Sequence, residues 1–301
     1  MCIADPVLQK KMVLLFNDVN RDSVARLERN ISKLPGYDTL MNKPNYSSQA
    51  IDQGAAQEFQ KVNLVPTFSF VDPWGYDGLT YDLISALIKD WGSDCIFYFN
   101  YRRINMAIVN PYFQDHMKAL FGEQLLEEVR AAIKGMNPLD REHYILNALG
   151  ALFDQSGLYT VPFRFQCEDR DQTSHYIIFV SKHPLAYTVM KDIMAGQSTS
   201  HDDDCAGFEY VPVENPQLSF LYKYALPMSE LRAILLRKYK GRRVSVIDIF
   251  YDTHVGTPFI LKNFKSTLLE LLDEGLVSVE NPDGNLKVRK NSMADQYIVT
   301  F

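Results

Sequence analysis

The sequence predicts an α/β protein: a parallel sheet with crossover helices, followed by a C-terminal winged helix. Three observations carry that expectation. Short apolar, β-rich runs alternate with helical runs through the first hundred residues, the rhythm of a parallel sheet wound with helices. Residues 104–155 then read as helix throughout. From Met228 onward, helical runs lead into two β runs around an Asn-Pro-Asp-Gly turn, the layout of a winged helix, a helix-turn-helix variant.

"KMVLLFNDVN" (11–20) reads as a buried strand stopping on Asn17 and Asp18. "RDSVARLERNISKL" (21–34) puts Val24, Leu27, Ile31 and Leu34 on one helical face, and Pro35-Gly36 ends it. A short strand is expected near Ser47–Ile51 and a short helix over Ala55–Val62. "PTFSFVD" is a strand, "GLTYDLISALIKDW" a helix, and "SDCIFYFNY" (93–101) a strand ending on polar groups. In the helical insertion, "NPYFQDHMKALFG" and "EQLLEEVRAAIKG" are broken at Gly122, and "PLDREHYILNALGALFDQSG" follows. The insertion is expected to lie over the ligand edge of the sheet. "YTVPFRFQCE" and "SHYIIFVSKH" suit an antiparallel hairpin, and "PLAYTVMKDIMAG" a helix. The polar run 197–207 is a candidate hinge. "MSELRAILLRKYKGRR" is a helix and "VSVIDIFYDTH" a helix or a strand–helix mixture. The run from Thr257 is a long helix capped by Gly275, then strand, turn and strand. The expected domains are 1–226 and 227–301.

The length of 301 residues suits two domains, and 47% hydrophobic with 23% charged residues is ordinary for a globular chain. The net charge of −6 gives no bulk reason for nucleic-acid binding. From Met228 on there are 11 Lys and Arg against 9 Asp and Glu, a mild local excess. Cys2, Cys95, Cys167 and Cys205 lack metal-ligand spacing and suit a reducing cytoplasm. No secretory signal or long apolar span is visible, so no membrane partner is expected.

Parallel sheets present ligands at the carboxyl ends of their strands. Asp18, Asp52 and Asp72 each follow a strand. Asp18 suits a ribose contact and Asp52 an adenine amino group; the competing reading is a turn or helix cap, with Ser23 an alternative cap. The catalytic-edge candidates are Asp72, Pro73, Trp74 and Tyr76. Pro73 holds Asp72 extended, Gly75 lets the chain turn, and Trp74 and Tyr76 supply flat faces at the rim. A polar residue, proline and an aromatic ring is also how many amino-methyltransferases hold a flipped base; the plain alternative is a strand end. Arg102 and Arg103 either meet a phosphate or begin a solvated helix. His201 and Cys205 lack a second ligand pair, so no metal is assigned. The sequence has no GxGxxG and no GxxxxGK[ST] phosphate loop.

"FSFVDPWGYDGLTYDLISALI" resembles the three-Cys-motif partner proteins, whose matching segment reads like "FFFIDPFGYKGI". "FNDVN" before a helix, the helical insertion after "FYFNY" and the C-terminal "TPF…LLELLDEGLVSVENP" follow the family's order, from about Leu14 to Phe301. The resemblance implies a class I methyltransferase-like Rossmann sheet fused to a winged helix. It also implies a bacterial or phage-borne protein working with a cysteine-rich, iron–sulfur-type three-Cys-motif partner. It makes Asp18 the ribose contact for S-adenosylmethionine, Asp52 the adenine-side acid, and Asp72, Pro73 and Tyr76 the catalytic edge. Trp74 replaces the family's Phe, and Asp77 its Lys. The family's first strand and glycine turn, like "YIDGFAGPG", have no counterpart, so the sheet is expected to lack its first strand and the true start to lie upstream. Without a cradle for the cofactor's amino-acid end, methyltransferase activity is left open. The alternatives are a non-catalytic DNA-binding or protein-docking adaptor, and a metal-dependent nuclease with Asp18, Asp52 and Asp72 around Mg²⁺.

Overall fold

The computed structural model describes residues 5–51, 53–167, 172–198, 205–206, 208–210, 226–282 and 292–301. The chain divides into two compact units, Met1–Asn63 and Leu64–Phe301.

The first unit comprises α1 (Pro6–Lys11), β1 (Leu15–Asn17), α2 (Arg21–Ile31), β2 (Asn45–Ser47) and α3 (Gln53–Lys61). β1 and β2 pair in parallel, Leu15 to Asn45 through Asn17 to Ser47. The expected strand over 11–20 contracts to three residues because its start is drawn into α1. Asp5 caps that helix by accepting from the amides of Val7 and Leu8, and Pro6 opens it. β2 lies ahead of the expected Ser47–Ile51. The apolar face expected on α2 is not buried: Leu27 is 37% exposed, and Leu34 beyond it 52%.

The second unit begins with β3 (Phe68–Val71), α4 (Tyr81–Ile88) and β4 (Asp94–Phe99). The insertion follows as α5 (Tyr101–Ile108), α6 (Gln114–Phe121), α7 (Glu123–Ala132) and α8 (Pro138–Asp154). Next come β5 (Tyr159–Gln166), β6 (Thr173–Ser181), α9 (Pro184–Gln197), β7 (Cys205–Ala206), β8 (Glu209–Tyr210) and β9 (Leu226–Pro227). The main sheet has the order β3-β4-β6-β5-β8. β3 and β4 are parallel, β6 runs antiparallel to both β4 and β5, and β8 is parallel to β5. The expected hairpin is therefore present and makes the sheet mixed. One face carries Phe97 against Phe153 of α8. The other buries Val161, Phe163 and Phe179 with Tyr187 and Met194 of α9. At the β3 end this second face is open, with Phe68 and Phe70 about 60% exposed.

A buried polar network ties the insertion to the hairpin. Arg164 of β5 donates to Glu209 of β8 at 2.8 Å and to Thr173 at 2.7 Å. Glu142 of α8 accepts from the hydroxyls of Tyr176, at 2.6 Å, and Thr173. Buried charges need such complete pairing, because an uncompensated one is strongly destabilising.

The C-terminal part consists of α10 (Met228–Lys238), β10 (Arg243–Ser245), α11 (Val246–Thr253), α12 (Leu261–Asp273), β11 (Ser278–Glu280) and β12 (Ile298–Thr300). β10 resolves the ambiguous run as strand followed by helix. Ser245 caps α11 through the Asp248 amide, and Gly275, at φ 74°, follows α12. The strands form an antiparallel sheet of order β10-β12-β11. Leu231, Leu235, Ile249, Phe250, Phe264 and Leu268 fill the core beneath it. This part is joined to α9 by a buried clamp: Lys191 Nζ donates to the carbonyls of His254 at 2.9 Å and Phe259 at 2.8 Å. The Tyr187 hydroxyl accepts from the Gly256 amide. Among the described residues no helix is long and apolar enough to cross a membrane.

Candidate functional site

The carboxyl ends of β3 and β4 form the candidate site. Registration of Val71 with Phe97 sets Asp72 and Tyr98 at the same sheet edge. Asp72 is exposed, and its carboxylate makes no hydrogen bond among the described residues. Its negative charge acts on two neighbours. It pushes the Tyr98 hydroxyl up in pKa, after the larger effect of burial. It opposes the burial that lowers the His175 imidazole. His175 is sandwiched by Tyr98 and Phe165, each with ring centroids 4.5 Å away. His175 is thereby held toward its neutral form beside an open carboxylate.

The loop after Asp72 folds back sharply. Gly75 has φ 80° and is buried; a Cβ there would lie 2.8 Å from Arg103 Nη1. Only glycine allows this approach without displacing the guanidinium. Trp74 is 84% exposed and faces the Arg103 guanidinium at 5.6 Å. Arg103 sits in the first turn of α5, where the Asn100 side chain accepts from its amide at 3.2 Å. Arg102 beside it is exposed. Tyr76 points into the insertion and meets Phe113 at 5.3 Å and His116 at 5.4 Å. Trp74 thus offers a free flat face, whereas the Tyr76 ring is engaged in packing. Burial raises the Tyr76 hydroxyl pKa, with Arg103 opposing. The arrangement can stack a planar ring on Trp74, accept a hydrogen bond at Asp72 and offer Arg103 to an anion.

Asp72, Pro73, Trp74 and Tyr76 share this loop. Asp18 belongs to the other compact unit, at the end of β1. Its Oδ1 accepts from the Asn20 amide at 2.8 Å, and Asn20 in turn caps α2 through the amides of Asp22 and Ser23. The cap is therefore Asn20 rather than Ser23. A shallow depression of about 330 Å³ is lined by Phe16, Asp18, Val24, Arg26 and Asn30, among others. Asp52 and His201 lie outside the described residues, as does the Cys205 side chain. Among the described residues no three His, Cys, Asp or Glu side chains converge as a metal site. Sequence reasoning missed Tyr98 and Phe165. Period-two spacing gives Tyr98 a face, but the antiparallel partners that complete the sandwich follow only from register.

Comparison with known proteins gives one regional match: a family model described as "GMT-like wHTH domain" matches residues 209–284. It covers α10, β10, α11, α12 and β11, in agreement with the winged helix seen here. No curated protein matches the chain. The C-terminal part of the chain is similar to a GMT-like winged helix, the kind of domain that meets nucleic acid.

Proposed function

We propose that the chain is a nucleic-acid-associated protein of the three-Cys-motif partner kind. In this reading a methyltransferase-like α/β domain carries a winged helix and acts with a cysteine-rich, iron–sulfur-type partner. The observation that carries the nucleic-acid part is the three-helix, β10-β12-β11 arrangement together with its family match. Two features support the methyltransferase-like part. The pairs β1–β2 and β3–β4, each within its own unit, are parallel, as neighbouring strands of a doubly wound sheet are. Asp72-Pro73-Trp74-Gly75 ends β3 beside the first turn of α5.

The residues fit S-adenosylmethionine at its nucleoside end only. Asp18 Oδ2 is open to a ribose hydroxyl, with Oδ1 already engaged. No glycine-rich turn in the sequence cradles the amino-acid end. A non-catalytic adaptor is the second reading, favoured by the engagement of Tyr76 with Phe113 and His116. Fluorescence anisotropy of the full chain with a labelled duplex, titrated with salt, tests the nucleic-acid part. Binding that weakens linearly in log salt is expected, and no binding rejects it. Calorimetric titration with S-adenosylmethionine, with Asp18→Ala as control, tests the cofactor. Heat abolished by Asp18→Ala is expected, and heat unchanged by it rejects the ribose assignment.

A further inference from the structure

We infer that the chain holds the phosphate backbone of duplex DNA through the turn between α10 and β10, using Arg237, Lys240 and Arg242, rather than through the outward face of α12. The inference rests on the nucleic-acid reading and assigns its surface. In a helix-turn-helix the second helix of the motif ordinarily enters the groove; here that helix is α12. Its exposed residues are Lys262, Ser266, Glu270 and Asp273, an acidic excess. Lys265 is neutralised by Asp295 at 2.5 Å. A face of this charge repels phosphate more than it attracts it.

The α10–β10 turn has the opposite balance. Arg237, Lys238, Lys240, Arg242 and Arg243 are five exposed cations within seven positions. Lys238 pairs with Asp252 and Arg243 with Glu280. Arg237, Lys240 and Arg242 form no ion pair among the described residues. Arg242 is steadied over the Tyr239 ring at 5.4 Å, and Tyr239 is fully buried. Backbone bonds between Gly241 and Phe301 and between Phe301 and Arg242 hold the turn against β12. A carboxylate at Phe301 would lower the local surplus from three to two without reversing it. The surface is thus a cationic turn in which Asp252 and Glu280 are already paired, suited to a polyanion with regularly spaced charges.

The test is anisotropy of the full chain on a labelled duplex across a salt series, with thermal melts confirming folding of each variant. Three phosphate contacts contribute about 2.7 to the slope of log K against log salt, at about 0.9 each. The variant Arg237→Ala, Lys240→Ala, Arg242→Ala should lose that slope and bind more weakly. Should it fold poorly, Arg237→Gln with Lys240→Gln leaves the Tyr239 contact intact and should lose about 1.8. Lys262→Glu should retain most of the slope. Unchanged slope in the turn variants overturns this inference and leaves the nucleic-acid reading standing. No duplex binding by the unaltered chain overturns both. Binding to polyglutamate but not to duplex moves the surface to an acidic protein and likewise overturns the inference.

Discussion

Lys191→Met should change stability by an amount that depends on pH. Lys191 is 1% exposed, and burial lowers its amine to about 7, with Asp192 opposing. In the unfolded chain the amine titrates at its ordinary value of 10.5. Between these values the unfolded chain binds more protons than the folded protein, so rising pH favours folding. From pH 7, where the folded amine is half protonated, to pH 9 the difference sums to about 1.7 pH units at roughly 1.4 kcal/mol each, or about 2 kcal/mol in all. The methionine variant lacks this contribution. It also leaves the Phe259 carbonyl without its Lys191 donor, whereas the His254 carbonyl keeps one from the Thr257 hydroxyl. An unpaired buried carbonyl costs about 1–3 kcal/mol. The variant should therefore be clearly less stable than the parent at pH 9, and close to it or more stable at pH 6. Urea unfolding followed by circular dichroism at pH 6, 7.5 and 9 measures the gap directly. A gap constant across these pH values would refute the reasoning, because the amine would then keep its proton throughout.

Two further outcomes follow from neighbouring geometry. His254 is buried, its Nδ1 has no hydrogen-bond partner among the described residues, and it stacks on Phe250 at 4.3 Å; burial, then Lys191, lowers its imidazole to about 4. Its contribution is fully present above pH 6.5 and is lost as pH falls from 6.5 toward 4. His254→Phe should keep the stack and flatten the acid limb of a thermal-melt series over that range; an unaltered limb contradicts the assignment. Gly75→Ala places a Cβ 2.8 Å from Arg103 Nη1 at φ 80°. It should cost at least about 1 kcal/mol and alter tryptophan emission as Arg103 leaves Trp74; an unshifted melt and spectrum would count against the close approach.

Much of the architecture was legible in the sequence because periodicity and punctuation are local. The breaks at Gly122 and Gly275 and the last three of the four insertion helices follow from residue spacing and capping residues within one or two turns. By contrast, Tyr101, which opens α5, is expected in the preceding strand, and the run 244–254 stays open between helix and strand–helix mixture. The expected Asn-Pro-Asp-Gly turn and following strand lie largely outside the described residues. The position of Asp72-Pro73-Trp74-Gly75 at a strand end was legible for the same reason. Even α1 was available in principle, since Asp5-Pro6 is a cap followed by a first-turn proline. Tertiary structure alone decided what these segments face. It turned Tyr76 into the insertion, set Arg103 against Gly75, and left the apolar face of α2 and the Phe68–Phe70 face of β3 exposed. It also placed the Lys191 ammonium beneath two carbonyls more than sixty residues away in sequence. Such contacts depend on strand register and on which element covers which, and a one-residue slip in register would send every side chain to the opposite face.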